Sequence, residues 1–195
     1  MTKYILVGGH PHKTSDGGKA FAEELVNGFS EPVKILECLF ARPKENWDLA
    51  FTQDQEFFQK HLPKTRLELV RAEPDKFLEQ VKWADAIYIR GGDLEIPLID
   101  LLRQSSFEKE LEGKTLAGSS AGADAIAKYY YGLDDLKIWE GLGLLPIKVL
   151  VHYRSDYNAP NIDWDKVETE LKGYKEQLPL VALKEGEFKV MRQNS

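Results

Sequence analysis

Short apolar runs rich in β-branched residues alternate along this chain with longer segments whose apolar positions recur every three or four residues. The short runs are Lys3–Val7, Pro32–Leu36, Arg66–Val70, Ala86–Ile89, Thr115–Ala117 and Ile147–Val151, and each predicts a strand. Between the first two, Phe21, Ala22, Leu25, Val26 and Phe29 fall on one face of a predicted helix over Ala20–Phe29. Helices are likewise expected in the second half of Asn46–Leu62, over Pro74–Trp83 and over Leu94–Leu102. Another is expected after Ser120, ending in the aromatic cluster Tyr129–Tyr131, and a last one over Asn161–Tyr174 with Asp163 as cap. Leu180–Leu183 and Phe188–Met191 read as a terminal hairpin around Glu185-Gly186. Strands alternating with helices predict an α/β fold: a largely parallel sheet with helices on both faces.

Composition narrows the classes. A chain of 195 residues suits a single domain spanning 1–195 and can bury a sizeable core. Its net charge of −6 argues against a nucleic-acid partner or an anionic membrane surface. The lone Cys38 allows no intrachain disulfide and reads as a small buried residue near a strand end. The opening apolar run is too short for a signal peptide, and no stretch is long enough to span a membrane. A cytoplasmic location is the expectation.

The chemistry concentrates at Gly118-Ser119-Ser120-Ala121-Gly122, a G-x-S-x-G pattern between a predicted strand and a predicted helix. A serine on such a turn projects its hydroxyl above the sheet edge, and small neighbours let backbone and substrate approach. Arg90-Gly91-Gly92-Asp93 forms a second strand–glycine–helix junction, where bare N–H groups can face an oxyanion. A serine nucleophile needs a base, and of the four histidines His152, at the end of a predicted strand, is the best candidate. Asp134, Asp135 and Glu140 lie between Ser120 and His152 as candidates for the orienting acid. His10 and His12 flank Pro11 in a stiffened turn, expected at the edge of a substrate cleft rather than on a metal. The Gly8-Gly9 pair fits no phosphate-binding pattern.

Taken in order, R-G-G-D at Arg90–Asp93, G-S-S-A-G-A at Gly118–Ala123, G-L-G-L-L at Gly141–Leu145 and His152-Tyr153 resemble the peptidase E (aspartyl dipeptidase) family. Cyanophycinase is a related serine hydrolase. The resemblance runs from about Lys3 to Tyr157. It implies a flavodoxin-like three-layer sandwich, similar to class I glutamine amidotransferase domains, with serine in place of cysteine. It implies Ser120 as nucleophile, His152 as base, and Gly92 and Ala121 as oxyanion-hole donors, with Gly91 a near alternative. For the acid it favours Asp135, with Asp134 and Glu140 open. Ser119 stands where peptidase E carries a tryptophan. Arg90 and Arg154 are candidates for holding an acidic substrate side chain. The implied activity is hydrolysis of small peptides, including Asp-X dipeptides, without cofactor or metal, by a monomer or homodimer. The rivals are an amidase or esterase of the α/β-hydrolase type and a non-catalytic binding protein on the same scaffold.

Overall fold

The computed structural model describes residues 1–155 and 162–193. In chain order its first half holds β1 (Thr2–Val7), α1 (Lys19–Val26), β2 (Val33–Cys38), α2 (Trp47–His61), β3 (Leu67–Arg71), α3 (Phe77–Trp83), β4 (Ala86–Ile89) and α4 (Glu95–Ser105). The second half holds β5 (Thr115–Ser119), α5 (Ala121–Ile126), β6 (Ala127–Gly132), β7 (Lys137–Glu140), β8 (Leu145–Leu150), α6 (Trp164–Gly173), β9 (Leu180–Ala182) and β10 (Phe188–Gln193). The expected helix start at Asn161, and Tyr157, lie outside the described residues.

Six strands form the main sheet in the order β10-β1-β5-β4-β2-β3. All neighbours run parallel except β10, which pairs antiparallel with β1. Side-chain alternation builds two apolar layers on this sheet. Ile5, Val7, Ile35, Tyr88 and Ala117 face Phe21 and Leu25 of α1 and Phe58 of α2. Tyr4, Leu6, Leu36, Ile87, Ile89 and Leu116 face Phe77, Val81, Leu98 and Leu102 of α3 and α4. A sheet covered on both faces accounts for its near-continuous apolar strands. The parallel strands end together at Val7, Cys38, Ile89 and Ser119, the edge where α/β folds place their sites. Cys38 is fully buried, and burial pushes its thiol up to about 12, so it is inert at neutral pH.

Two expectations change. The helix after Ser120 stops at Ile126, and Tyr129–Tyr131 belong to β6. Tyr130 points into the main core while Tyr129 and Tyr131 pack with Leu150, Val167 and Leu171 on the other side. That two-residue alternation, together with the β preference of aromatic side chains, outweighs helical continuation. β6 opens a second sheet, ordered β7-β6-β8-β9.

The terminal segments are also not a hairpin. β9 runs parallel to β8 in the second sheet, while β10 pairs with β1 in the main sheet. The turn around Glu185-Gly186 therefore bridges the two sheets. Gly186 N–H donates to Gly9 O at 2.7 Å and Gly8 N–H to Glu187 O at 3.0 Å, pinning the bridge to the end of β1.

Candidate active site

Ser120 sits between β5 and α5 with φ 51° and ψ −121°, a strained conformation for a non-glycine residue that costs about 1–3 kcal/mol. The surroundings enforce it. Ser120 N–H donates to Val7 O at 3.0 Å, and Ser120 O accepts from Ala123 N–H at 2.7 Å and Asp124 N–H at 3.0 Å. A Cβ on Gly122 would lie 2.1 Å from Ile89 O, so α5 can press against β4 only with glycine there. The turn lifts the Ser120 hydroxyl above the sheet.

His152 lies just beyond β8 and is 2% exposed. Its N–H donates to Gly8 O at 2.7 Å, and Tyr153 N–H donates to Leu183 O at 2.9 Å, which fixes the chain on both sides of the second sheet's edge. A Cβ on Gly9, whose φ is 117°, would fall 2.1 Å from the His152 ring. The glycine pair that fits no phosphate loop is thus the seat of the imidazole. His152 Nε2 stands 2.9 Å from Ser120 Oγ, and His152 Nδ1 stands 3.3 Å from Glu185 Oε1. With Nδ1–H donating to the carboxylate, Nε2 accepts from the serine hydroxyl. Burial pushes His152 down to about 4, against the opposing pull of Glu185, so the imidazole is neutral at pH 7. Burial raises Glu185, but Lys13 and His10 outweigh it and keep the carboxyl below its ordinary value.

The acid facing His152 is therefore Glu185, and not the expected Asp135. Asp135 accepts from Trp139 Nε1 at 3.1 Å across the β6–β7 hairpin. Glu140 pairs with Lys175, an exposed contact. Asp134 lines a cavity of about 30 Å³ behind Ser120, together with Asp124 and Glu95. Order along the chain hid Glu185. The candidate acids Asp134, Asp135 and Glu140 lie between Ser120 and His152, whereas this carboxylate follows His152 and arrives from the bridge between the two sheets.

The hydroxyl opens into a cleft of about 700 Å³ whose walls include His10, His12, Arg42, Phe57, Arg90, Gly91 and Gly92. Gly91 N–H donates to Ser119 Oγ at 3.2 Å, and Ser119 Oγ also meets Tyr88 OH at 3.0 Å. Gly91 is thus committed to holding the β4 and β5 ends together. Ala121 N–H, in the first turn of α5, has no acceptor within the helix. Arg90 lines the cleft but donates to Ala50 O at 2.7 Å and pairs with Asp54 at 3.0 Å. Arg154 is turned away onto Asp165 and Tyr153. Sequence reasoning missed Arg42, which lines the cleft and whose buried Nε makes no hydrogen bond among the described residues. Beneath Arg90, Glu37 is fully buried. Burial, then the Asp54 carboxylate beside it, raises Glu37 well above the usual carboxylate range.

A strained serine at a strand–helix elbow, a neutral imidazole against its hydroxyl and a carboxylate behind the imidazole form an arrangement suited to serine hydrolysis, on a parallel α/β sheet. The particular family follows from comparison: the chain belongs to peptidase family S51, whose model matches residues 44–194. It is a serine-type peptidase. No curated protein matches the chain. The fold is similar to that of a peptidase from an acI-B1 Actinobacterium, with TM-score 0.68 and 22% identity over 98% of this chain and 84% of that one. It is also similar to a protein assigned as a peptidase E from Listeria monocytogenes EGD-e, with TM-score 0.64 and 16% identity over 100% of both chains.

Proposed function

We propose that this peptidase cleaves small peptides through a Ser120–His152–Glu185 triad. The observation that carries the proposal is the unbroken line from Ser120 Oγ to His152 Nε2 at 2.9 Å and from His152 Nδ1 to Glu185 Oε1 at 3.3 Å, with Ser120 and His152 lining the cleft. Ser120 Oγ attacks the scissile carbonyl carbon as its proton passes to Nε2. Glu185 holds Nδ1–H and stabilises the imidazolium. The N–H groups of Gly92 and Ala121 receive the oxyanion, Gly91 being engaged by Ser119. The imidazolium then protonates the leaving amine, and water attacks the acyl-serine by the same route in reverse.

For specificity we propose a peptide bearing a carboxylate near the scissile bond, N-terminal aspartyl dipeptides being the first candidates. Arg42 supports this reading better than Arg90 or Arg154. Arg42 lines the cleft and forms no ion pair among the described residues, whereas Arg90 is neutralised by Asp54 and Arg154 by Asp165. A substrate carboxylate in the cleft would pair with that guanidinium.

The test is hydrolysis of a dipeptide panel by wild type, Ser120→Ala and Arg42→Met. Serine-dependent cleavage of Asp-X, lost relative to neutral dipeptides in Arg42→Met, is the expected result. Full activity in Ser120→Ala would overturn the mechanism. Unchanged discrimination in Arg42→Met would overturn the specificity alone.

A further inference from the structure

The carboxylate that faces His152 serves a second imidazole. His10 Nδ1 lies 3.2 Å from the same Glu185 Oε1 that stands 3.3 Å from His152 Nδ1. The two rings meet edge-on with centroids 5.6 Å apart. One donor atom from each of the three residues lies within 4.8 Å of the others, the one such convergence among the described residues. Hydrolysis by the triad uses His152 and Glu185 but gives His10 no role.

The triangle has the dimensions of a metal site. Zinc bound at about 2.0–2.1 Å in tetrahedral geometry sets its ligand atoms about 3.3 Å apart. Both nitrogen-to-oxygen edges already have that length. The remaining edge closes by movement of His10, whose side chain is 31% exposed, while His152 is held at 3%. Two imidazoles and one carboxylate are the ligand types that favour zinc and neighbouring transition metals over magnesium or calcium. A three-ligand set leaves a fourth position for water. Lys13 occupies the other carboxylate oxygen, Oε2, so a metal on Oε1 need not displace it, although its charge weakens binding.

We propose that His10, His152 and Glu185 form an inhibitory site for a divalent transition metal such as Zn²⁺. Metal on His152 Nδ1 moves the imidazole proton to Nε2, where it points at Ser120 Oγ. The nitrogen that must accept the serine proton is then a donor, and Glu185 is withdrawn to the metal. No bond is made to substrate, and removing the metal restores the starting tautomer. The loss of rate rests on the triad reading above; the binding does not.

The experiment measures Zn²⁺ binding by equilibrium dialysis to wild type, Ser120→Ala and His10→Ala, with Co²⁺ absorption as a second readout. Wild type and Ser120→Ala are expected to bind one ion per chain alike, with visible Co²⁺ bands of a tetrahedral site. His10→Ala is expected to bind more than about tenfold more weakly and to lose the bands. His10→Asn serves in its place should the alanine variant fail to fold. In the peptidase assay, Zn²⁺ slows wild type and a chelator restores it. His10→Ala, normalised to its own metal-free rate, needs more than about tenfold more Zn²⁺ for the same loss. No Zn²⁺ bound to wild type, or equal binding to His10→Ala, would overturn the site. Binding that depends on His10 in a protein whose hydrolysis survives Ser120→Ala would overturn the triad and leave the site standing.

Discussion

Replacing Glu185 with glutamine is the sharpest perturbation of the proposed machinery. The side chain keeps its size, but the charge that stabilises the imidazolium disappears, and the amide can present a donor to Nδ1 and select the wrong tautomer. In serine peptidases with a tight acid–histidine pair, the equivalent change lowers kcat about 10⁴-fold. Here the bond is 3.3 Å, and the carboxylate is shared with His10 and Lys13. A charge already divided among three partners contributes less to any one of them. The expected loss is about 10²–10³-fold in kcat, or about 2.7–4.1 kcal/mol in the barrier. KM should change little, because Glu185 acts through His152 rather than on the substrate. Since Glu185 favours the charged imidazole, its removal should also move the acidic limb of the pH profile to lower pH. The assay is steady-state hydrolysis from about pH 2.5 to 8, with Asp135→Asn as control, thermal melting confirming that both variants fold across that range. Asp135→Asn should stay within about twofold of wild type, because its carboxylate is bonded to Trp139. A Glu185→Gln rate within about threefold of wild type, or a collapse in Asp135→Asn, would refute the assignment.

Further outcomes follow from the same geometry. Gly9→Ala places a methyl group 2.1 Å from the His152 ring at a φ of 117°; kcat/KM should fall at least about 100-fold with the fold retained by circular dichroism, and a near-normal rate would contradict the seat assigned to Gly9. Because burial holds His152 at about 4, kcat/KM should rise with pH around that value as the base is freed, and a midpoint at or above the ordinary 6.5 would contradict a buried neutral base. Glu37 keeps its proton in the fold but loses it near 4.5 when unfolded, so wild-type stability should decline as pH rises beyond that value, by up to about 1.4 kcal/mol per pH unit. Glu37→Gln should flatten that decline in melts between pH 5 and 8, and an unchanged slope would show that Glu37 is charged in the fold.

Local signals made much of this protein legible in its sequence. Ala86–Ile89 is a strand with the expected bounds, and Asp163 accepts from Lys166 N–H as the cap of α6. Parallel strands buried on both faces announce themselves as apolar runs, and the elbow is readable because its glycines and its serine occupy five consecutive positions. What failed depends on partners distant in the chain. Tyr129–Tyr131 follow a helical segment, and only the division of their side chains between two cores makes them a strand. Leu180–Leu183 and Phe188–Met191 have hairpin spacing, and nothing local reveals that they join different sheets. Within a hairpin Glu185 is a turn residue; only the bridge between the sheets brings it to His152. The fixed points that bring it to His152 are backbone bonds from the bridge to Gly8 and Gly9, close to 180 residues away in sequence. Arg42 belongs to no motif, and only the fold brings it to the cleft.

The central claim is that Ser120 is a nucleophile activated by His152. A fluorophosphonate reagent followed by peptide mass spectrometry tests it most directly, because the reagent reports an activated serine whatever the substrate. The account predicts a single adduct on Ser120 in wild type and its near-complete loss in His152→Ala. Labelling of another residue, or equal labelling of Ser120 without the histidine, would contradict it.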